Sequence, residues 1–98
     1  MDDLRGIAFD GRPVTLGESS WTHIQSQPGR AFAPGDVLDV AARPAFVVPD
    51  RRYADRVLCY GRQVGPSEYL AVILEDDGDH YRIITAHPVR RLPGDIDL

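Results

Sequence analysis

The side chains of this 98-residue chain that could do chemistry are three histidines, eleven arginines and a few tyrosine and threonine hydroxyls. Histidine changes its charge between about pH 5 and pH 8, so it can take up or release a proton near neutrality. Lysine is absent. Every other cationic side chain is therefore a planar guanidinium, which suits phosphate or carboxylate and cannot act as a neutral base. The set predicts proton transfer beside an anion.

The segment "RVLCYGRQ" has the composition of a β-strand, and strand alternation sorts its side chains into two faces. Arg56, Tyr60 and Arg62 share one face with Leu58 between them. Two arginines and a tyrosine in a row are typical of an anion-binding surface. The same composition also fits a solvated sheet face with a half-covered tyrosine.

The last strand-like run, "HYRIITAHPV", ends in polar residues. Strict alternation places Thr85 and His87 on the same face as Tyr81 and Ile83, with Ala86 on the other face. Thr85 and His87 would then emerge side by side at the end of an apolar strand. Such a polar pair is a candidate site, although strand ends also become polar where they leave the core.

A third candidate is His23, in the stretch "ESSWTHIQSQPG". Ser19 or Ser20 can cap the start of a short helix there. Trp21 and Ile24 share one helical face, and His23 lies about 200° away from Trp21. His23 is therefore outside the apolar stripe, which favours a role other than core packing.

Other kinds of site find little support in the sequence. The histidines lack metal-binding spacing, and Cys59 is the only cysteine, so we expect no metal, no cofactor and no disulfide. Cys59 itself is expected to be a small buried apolar residue. The stretch "EDDGD" fits a hairpin turn better than a calcium loop. No serine-nucleophile elbow or glycine-rich phosphate loop is present.

Several elements must position these residues. Asp10-Gly11 between alternating apolar residues predicts a hairpin of strands 5–10 and 12–17, with Pro13 on an edge strand. A second helix is predicted within 33–44. Four strand-like runs follow: "AFVVP", "RVLCYGRQV", "EYLAVILE" and "HYRIITAHPV". We expect an α+β fold: an N-terminal hairpin, one or two short helices, and then an antiparallel sheet of about four strands with helices on one face. The hairpin either extends the sheet or flanks it.

Length and composition limit the function further. We expect one domain over residues 1–98, in the cytoplasm, because no apolar run approaches a membrane span and the first residues do not form a secretory signal. The net charge of −4 argues against broad nucleic-acid binding, so no DNA partner is expected. A small basic site on an acidic body remains compatible with it.

Histidine, arginine, tyrosine and threonine together match metal-independent RNA cleavage. The 2′-hydroxyl of the substrate is the nucleophile in that reaction. A base takes its proton, an acid protonates the leaving 5′-oxygen, and cations stabilise the charged phosphorane.

The order of motifs strengthens this interpretation. The motifs "W-x-H-I", "V-x-P-D", "R-x-L-x-Y-x-R", "Y-L-x-V" and "I-I-T-A-H-P" resemble the barnase–EndoU–colicin–RelE-like ribonuclease superfamily, especially its small phage- and toxin-associated members. The resemblance runs from about Val14 to Arg91. It implies a helices-then-sheet fold and an endoribonuclease toxin restrained by an antitoxin or immunity protein. The matching site residues are His23, Arg56, Tyr60, Arg62 and Thr85; His87 is added on the strand argument alone.

One departure leaves alternatives open. Relatives of this type often carry a second histidine before a proline, where this chain has Gln27. A non-catalytic, toxin-like protein-binding module is therefore the main alternative to a ribonuclease. A small-molecule enzyme using the arginine face is a weaker one.

Overall fold

The structure, a computed structural model, describes residues 3–27, 32–65 and 68–90, with the side chains of 62–65 and 68 outside the description. Six strands and two helices occur in these ranges. In chain order they are β1 (Leu4–Ile7), β2 (Pro13–Leu16), α1 (Glu18–Gln25), α2 (Pro34–Ala42), β3 (Phe46–Pro49), β4 (Arg56–Gly65), β5 (Glu68–Asp76) and β6 (Tyr81–Val89). The fold is α+β, as predicted.

The sheet is larger than predicted. All six strands form one mixed sheet in the order β1-β2-β6-β5-β4-β3, not an antiparallel sheet of about four. The last four strands form the expected antiparallel meander. The N-terminal hairpin extends this meander through a short parallel pairing of β2 with β6, in which Val14 lies opposite Tyr81 and Thr15 opposite Arg82.

The position of Pro13 corrects another expectation. Its strand β2 lies inside the sheet, and β1 is the edge. Pro13 is nevertheless tolerated because it is the first residue of β2, opposite Ile7 of β1, and the pairing with β6 begins only at Val14. The missing N–H of proline therefore removes no bond from the inner ladder.

The two helices start through carboxylates that accept backbone N–H groups. Helix α1 begins at Glu18, before the predicted serine caps, and its Glu18 N–H donates to Asp3 Oδ1 over 3.0 Å. Helix α2 begins at Pro34, and the preceding Ala33 N–H donates to Asp36 Oδ2 over 2.8 Å. Both contacts satisfy an amide at a helix start that would otherwise lack an intrahelical partner.

The helices cover one face of the sheet. Trp21 and Ile24 of α1 and Val37, Val40 and Ala41 of α2 are buried. They belong to a single apolar core that also contains Val14, Leu16, Cys59, Leu70, Val72, Leu74, Ile83 and Ala86. Among the described residues no helix lies on the opposite face, which we call the open face. Neither described helix has the length and apolar character that a membrane crossing requires.

Cys59 behaves as a buried apolar residue, in agreement with the sequence. It is fully buried, and burial raises the pKa of its thiol to about 12. The thiol is therefore protonated at neutral pH, and we assign it no nucleophilic role.

A β-bulge at Ile84 reverses the faces of the final strand. Ile73 of β5 pairs with Thr85, but its neighbour Leu74 pairs with Ile83, so Ile84 is an extra residue. Ile83 and Ala86 consequently both point into the core, with 1% and 0% exposure. Thr85 and His87 are turned to the open face, whereas strict alternation predicts them beside Ile83.

A polar cluster attaches the N-terminal hairpin to the turn between β5 and β6. The Arg12 guanidinium donates to Asp10, to Asp76 and to the Tyr81 hydroxyl, and it lies 4.0 Å from the Tyr81 ring centre. The Tyr81 hydroxyl in turn donates to Asp10 Oδ2 over 2.8 Å. Asp76 Oδ1 also accepts the N–H of Gly78, which has a φ of +96°. This geometry is the hairpin turn predicted from "EDDGD".

The cluster predicts a change of stability at alkaline pH. Burial, followed by the hydrogen bond to Asp10, raises the pKa of Tyr81 from about 10 to about 12. A raised pKa means that the folded state favours the neutral phenol. The contribution of this phenol to the free energy of unfolding is therefore complete below pH 10 and is lost as the pH rises from 10 to 12. Tyr81→Phe should cost about 0.5–1.5 kcal/mol at pH 7 through the lost hydroxyl contacts.

Urea unfolding followed by Trp21 fluorescence, measured from pH 7 to pH 12, tests this prediction. The difference in unfolding free energy between wild type and Tyr81→Phe should narrow above pH 10. A difference that stays constant up to pH 12 would contradict the role given to the phenol.

Candidate functional site

A cavity of about 740 Å³ lies on the open face of the sheet. Strands β3, β4, β5 and β6 form its floor, and the loop from β3 to β4 forms one side. The residues that line it are Val48, Pro49, Asp50, Arg51, Arg52, Leu58, Tyr60, Ala71, Ile73 and His87. The floor is mainly apolar, and the charged side chains are concentrated in the loop.

Tyr60 and His87 face this cavity from two strands separated by one. Tyr60 of β4 pairs with Ala71 of β5, and Ala71 pairs with His87 of β6. Neighbouring strands are about 4.8 Å apart, so the backbones of Tyr60 and His87 are roughly 10 Å apart. Ala71 between them has only a methyl group, and all three residues line the cavity. A ligand bound in the cavity would therefore lie against the floor that carries both the phenol and the imidazole.

The loop after β3 adds two arginines. Asp50 Oδ1 accepts the Arg52 N–H over 2.7 Å and the Tyr53 N–H over 3.4 Å, and the Asp50 N–H donates to the Arg56 carbonyl over 3.0 Å. These bonds order the loop, and both Arg51 and Arg52 line the cavity. Both residues are exposed at the surface. The site thus combines one imidazole, one phenol, two guanidinium groups and the Asp50 carboxylate.

Arg56 lies on the same face, and its side chain is half-buried. Its guanidinium is 4.1 Å from the Tyr53 ring centre, and its Nη2 atom is 3.9 Å from Glu75 Oε2. Within the described part of the chain, its Nε is a buried donor without an acceptor. The Tyr53 ring and the Glu75 carboxylate are thus the contacts that hold this guanidinium in place.

The structure brings together only part of the predicted set. Tyr60 and His87 line the cavity, while Arg56 and Thr85 share its sheet face without lining it. The side chain of Arg62 lies outside the described residues. His23 is exposed on α1, away from the apolar stripe as predicted, and it is not among the residues that line the cavity.

A second cavity, of about 370 Å³, contains His80 but suits an anion less well. Its one arginine, Arg82, is paired with Glu75 and Asp77, so its charge is already neutralised. His80 itself contacts Asp77 and Asp79. Among the described residues, no group of three metal-binding side chains occurs. The open-face cavity is therefore the better candidate site.

Comparisons of the chain with protein families, with curated proteins and with solved structures found no match.

The loop arginines were not predicted from the sequence. Asp50, Arg51 and Arg52 lie in "PDRRYAD", which has the composition of a turn and carries no periodic pattern. A signal was nevertheless present: two adjacent arginines after an aspartate that can order the turn. The strand that follows carries Tyr60, so a loop entering that strand can reach the same face.

Proposed function

We propose that this protein is a metal-independent endoribonuclease that binds an RNA strand along its open sheet face. One observation carries the proposal: His87, Tyr60, Arg51 and Arg52 line the same cavity. An imidazole can move protons near pH 7, and guanidinium groups match the oxygens of a phosphodiester. The motif resemblance to the barnase–EndoU–colicin–RelE-like superfamily supports the same activity.

The proposed reaction is an internal transesterification. The 2′-hydroxyl loses its proton to a base and attacks phosphorus, the bond from phosphorus to the 5′-oxygen breaks, and an acid protonates that oxygen. His87 serves as one of the two proton-transfer groups, and the carboxylate of Asp50, which lines the same cavity, is the candidate for the other. Arg51 and Arg52 stabilise the charge that develops on the phosphoryl oxygens. Tyr60 orients the ribose or phosphate through its hydroxyl.

The proposal includes a toxin context. A ribonuclease active on cellular RNA works in the cytoplasm and must be restrained there, so we propose an antitoxin or immunity protein as its partner. An inhibitor of this kind would cover the open face. The protein should then be difficult to express alone and should be tolerated when the partner is produced with it.

The activity is tested with RNA in the presence of EDTA. Purified protein should convert a single-stranded RNA into products that end in a 2′,3′-cyclic phosphate and a 5′-hydroxyl. The matched control is the same strand with 2′-deoxynucleotides, which lacks the nucleophile and should remain intact. Intact RNA after incubation with folded protein would contradict the proposal, and so would equal cleavage of both strands.

A non-catalytic binding module is the second candidate. The apolar floor of the cavity supports it, since Val48, Leu58 and Ile73 are only half-buried there and an apolar cavity floor can accept an apolar side chain of a partner. Such a module would bind a protein partner through the open face and would leave every RNA uncut.

A further inference from the structure

We propose that Tyr53, supported by Arg56, forms a separate subsite on which a nucleobase of the RNA strand stacks. This inference rests on the proposed function and adds the position of one base to it. The observation that carries it is a solvent-exposed aromatic ring held against a guanidinium at the margin of the cavity. Aromatic side chains of this kind bind single-stranded nucleic acids because every base has a π-face.

Tyr53 is exposed although it is large and aromatic. It is 48% exposed, whereas Tyr60 on the cavity floor is only 7% exposed. A base needs an accessible ring to stack on, and Tyr60 offers too little ring surface for that. Of the two tyrosines on this part of the open face, Tyr53 in the loop is therefore the one on which a base can stack.

The exposed ring is nevertheless fixed. The Tyr53 N–H lies 3.4 Å from Asp50 Oδ1, and the Tyr53 carbonyl accepts the Arg56 N–H over 3.1 Å. Its ring lies 4.1 Å from the Arg56 guanidinium carbon. A ring held on both its backbone and its side chain loses little conformational freedom when a base stacks on it, which favours binding.

The arginine behind the ring strengthens the site for RNA. The Arg56 guanidinium lies 4.1 Å from the Tyr53 ring centre while its Nη2 atom is 3.9 Å from Glu75 Oε2, so the ion pair and the ring contact hold it together. A cation against one face of the ring orders the stack, and Arg can add cation–π attraction to base stacking. Arg52 directly precedes Tyr53 and lines the cavity. The base would consequently lie next to the phosphate held by the loop arginines.

The experiment uses two RNA probes on the full chain. A 2′-O-methyl RNA hexamer cannot be cleaved by the proposed reaction, so its binding is measured alone by fluorescence anisotropy. An unmodified hexamer of the same sequence reports cleavage. Tyr53→Leu should weaken binding of the 2′-O-methyl hexamer by about 5- to 150-fold, the range of one base-on-aromatic stack. Tyr53→Phe keeps the ring and should bind within about twofold of wild type.

Phe9→Leu is the matched control. Phe9 is also an exposed aromatic residue, 36% exposed. It belongs to the N-terminal hairpin, where its ring lies beside that of Tyr81 from β6, so Phe9→Leu should not affect binding of the hexamer. Circular dichroism and thermal unfolding confirm that each variant is folded.

The outcomes distinguish a failure of the Tyr53 subsite from a failure of the proposed ribonuclease activity. If Tyr53→Leu binds and cleaves like wild type, the subsite is wrong and the ribonuclease stands. If Tyr53→Leu and Phe9→Leu weaken binding of the 2′-O-methyl hexamer equally, the subsite is also wrong. If wild type binds the 2′-O-methyl hexamer through Tyr53 but cuts no RNA, the subsite is supported and the ribonuclease fails. If wild type neither binds nor cuts, both proposals fall.

Discussion

Replacing His87 with glutamine should lower the rate of RNA cleavage by about 10²- to 10⁴-fold, the usual contribution of a group that transfers a proton in the transition state. Glutamine keeps a polar side chain of similar reach but cannot exchange a proton near neutral pH. Because His87 lies across Ala71 from Tyr60 in the cavity, its loss affects the chemical step directly. The measurement is single-turnover cleavage of an RNA oligonucleotide in EDTA.

The three histidines provide their own controls. His23 is exposed on α1, and His80 lies in the second cavity beside Asp77 and Asp79. The geometry predicts that His23→Gln and His80→Gln cleave RNA within about threefold of wild type. The motif resemblance alone predicts instead that His23→Gln is the inactive variant. A large loss of RNA cleavage in His23→Gln, together with retained cleavage in His87→Gln, would place the catalytic histidine on α1 instead.

A steric variant tests the same place without removing a polar group. Ala71 is 2% exposed and lies between Tyr60 and His87 on the floor of the cavity. The larger side chain of Ala71→Leu would extend into the cavity between these two residues, so it should reduce both binding and cleavage. Preserved cleavage by folded Ala71→Leu would exclude the space between Tyr60 and His87 as the reaction site.

The sequence predicts the local elements of this fold well because their signals are local. Asp10-Gly11 between alternating apolar residues specifies the first hairpin, and the apolar stripe of α2 follows from spacing alone. The parallel pairing of β2 with β6 is different. It joins Val14 to Tyr81, and no pattern within either segment specifies a partner that distant. The sequence therefore predicts a sheet of about four strands where the structure has six.

The candidate site depends on geometry that the sequence specifies only in part. Two of the residues predicted from the sequence, Tyr60 and His87, line one cavity. The face of His87 could not be read from alternation, because the extra residue Ile84 shifts the phase of the last strand by one position. A hint existed, since strict alternation puts His87 on the core face and Ala86 on the other. The position of the loop arginines depends on a turn geometry that composition does not specify.

The close approach of α2 to the sheet gives the largest expected effect on stability. Gly61 of β4 lies beneath Val40, and a Cβ atom at Gly61 would be 2.5 Å from Val40 Cγ2 and 2.9 Å from Val40 Cγ1. Both distances are shorter than normal contacts, so Gly61→Ala must push α2 away from β4. Val40 is 4% exposed and belongs to the core, which leaves little room to adjust. The expected cost is about 1–3 kcal/mol, the usual penalty for overpacking.

A double-mutant cycle separates this clash from a general intolerance of alanine in the strand. Val40→Ala alone removes two buried methyl groups and should cost roughly 1.6 kcal/mol. In the double variant the methyl group added at position 61 occupies part of the space that the valine side chain vacates, so the two costs should not add. Urea unfolding of the four proteins, followed by Trp21 fluorescence, gives the coupling energy. Additive costs within about 0.5 kcal/mol would mean that Gly61 is required for a reason other than contact with Val40. A favourable coupling would show that the glycine sets the distance between α2 and the strand that carries Tyr60.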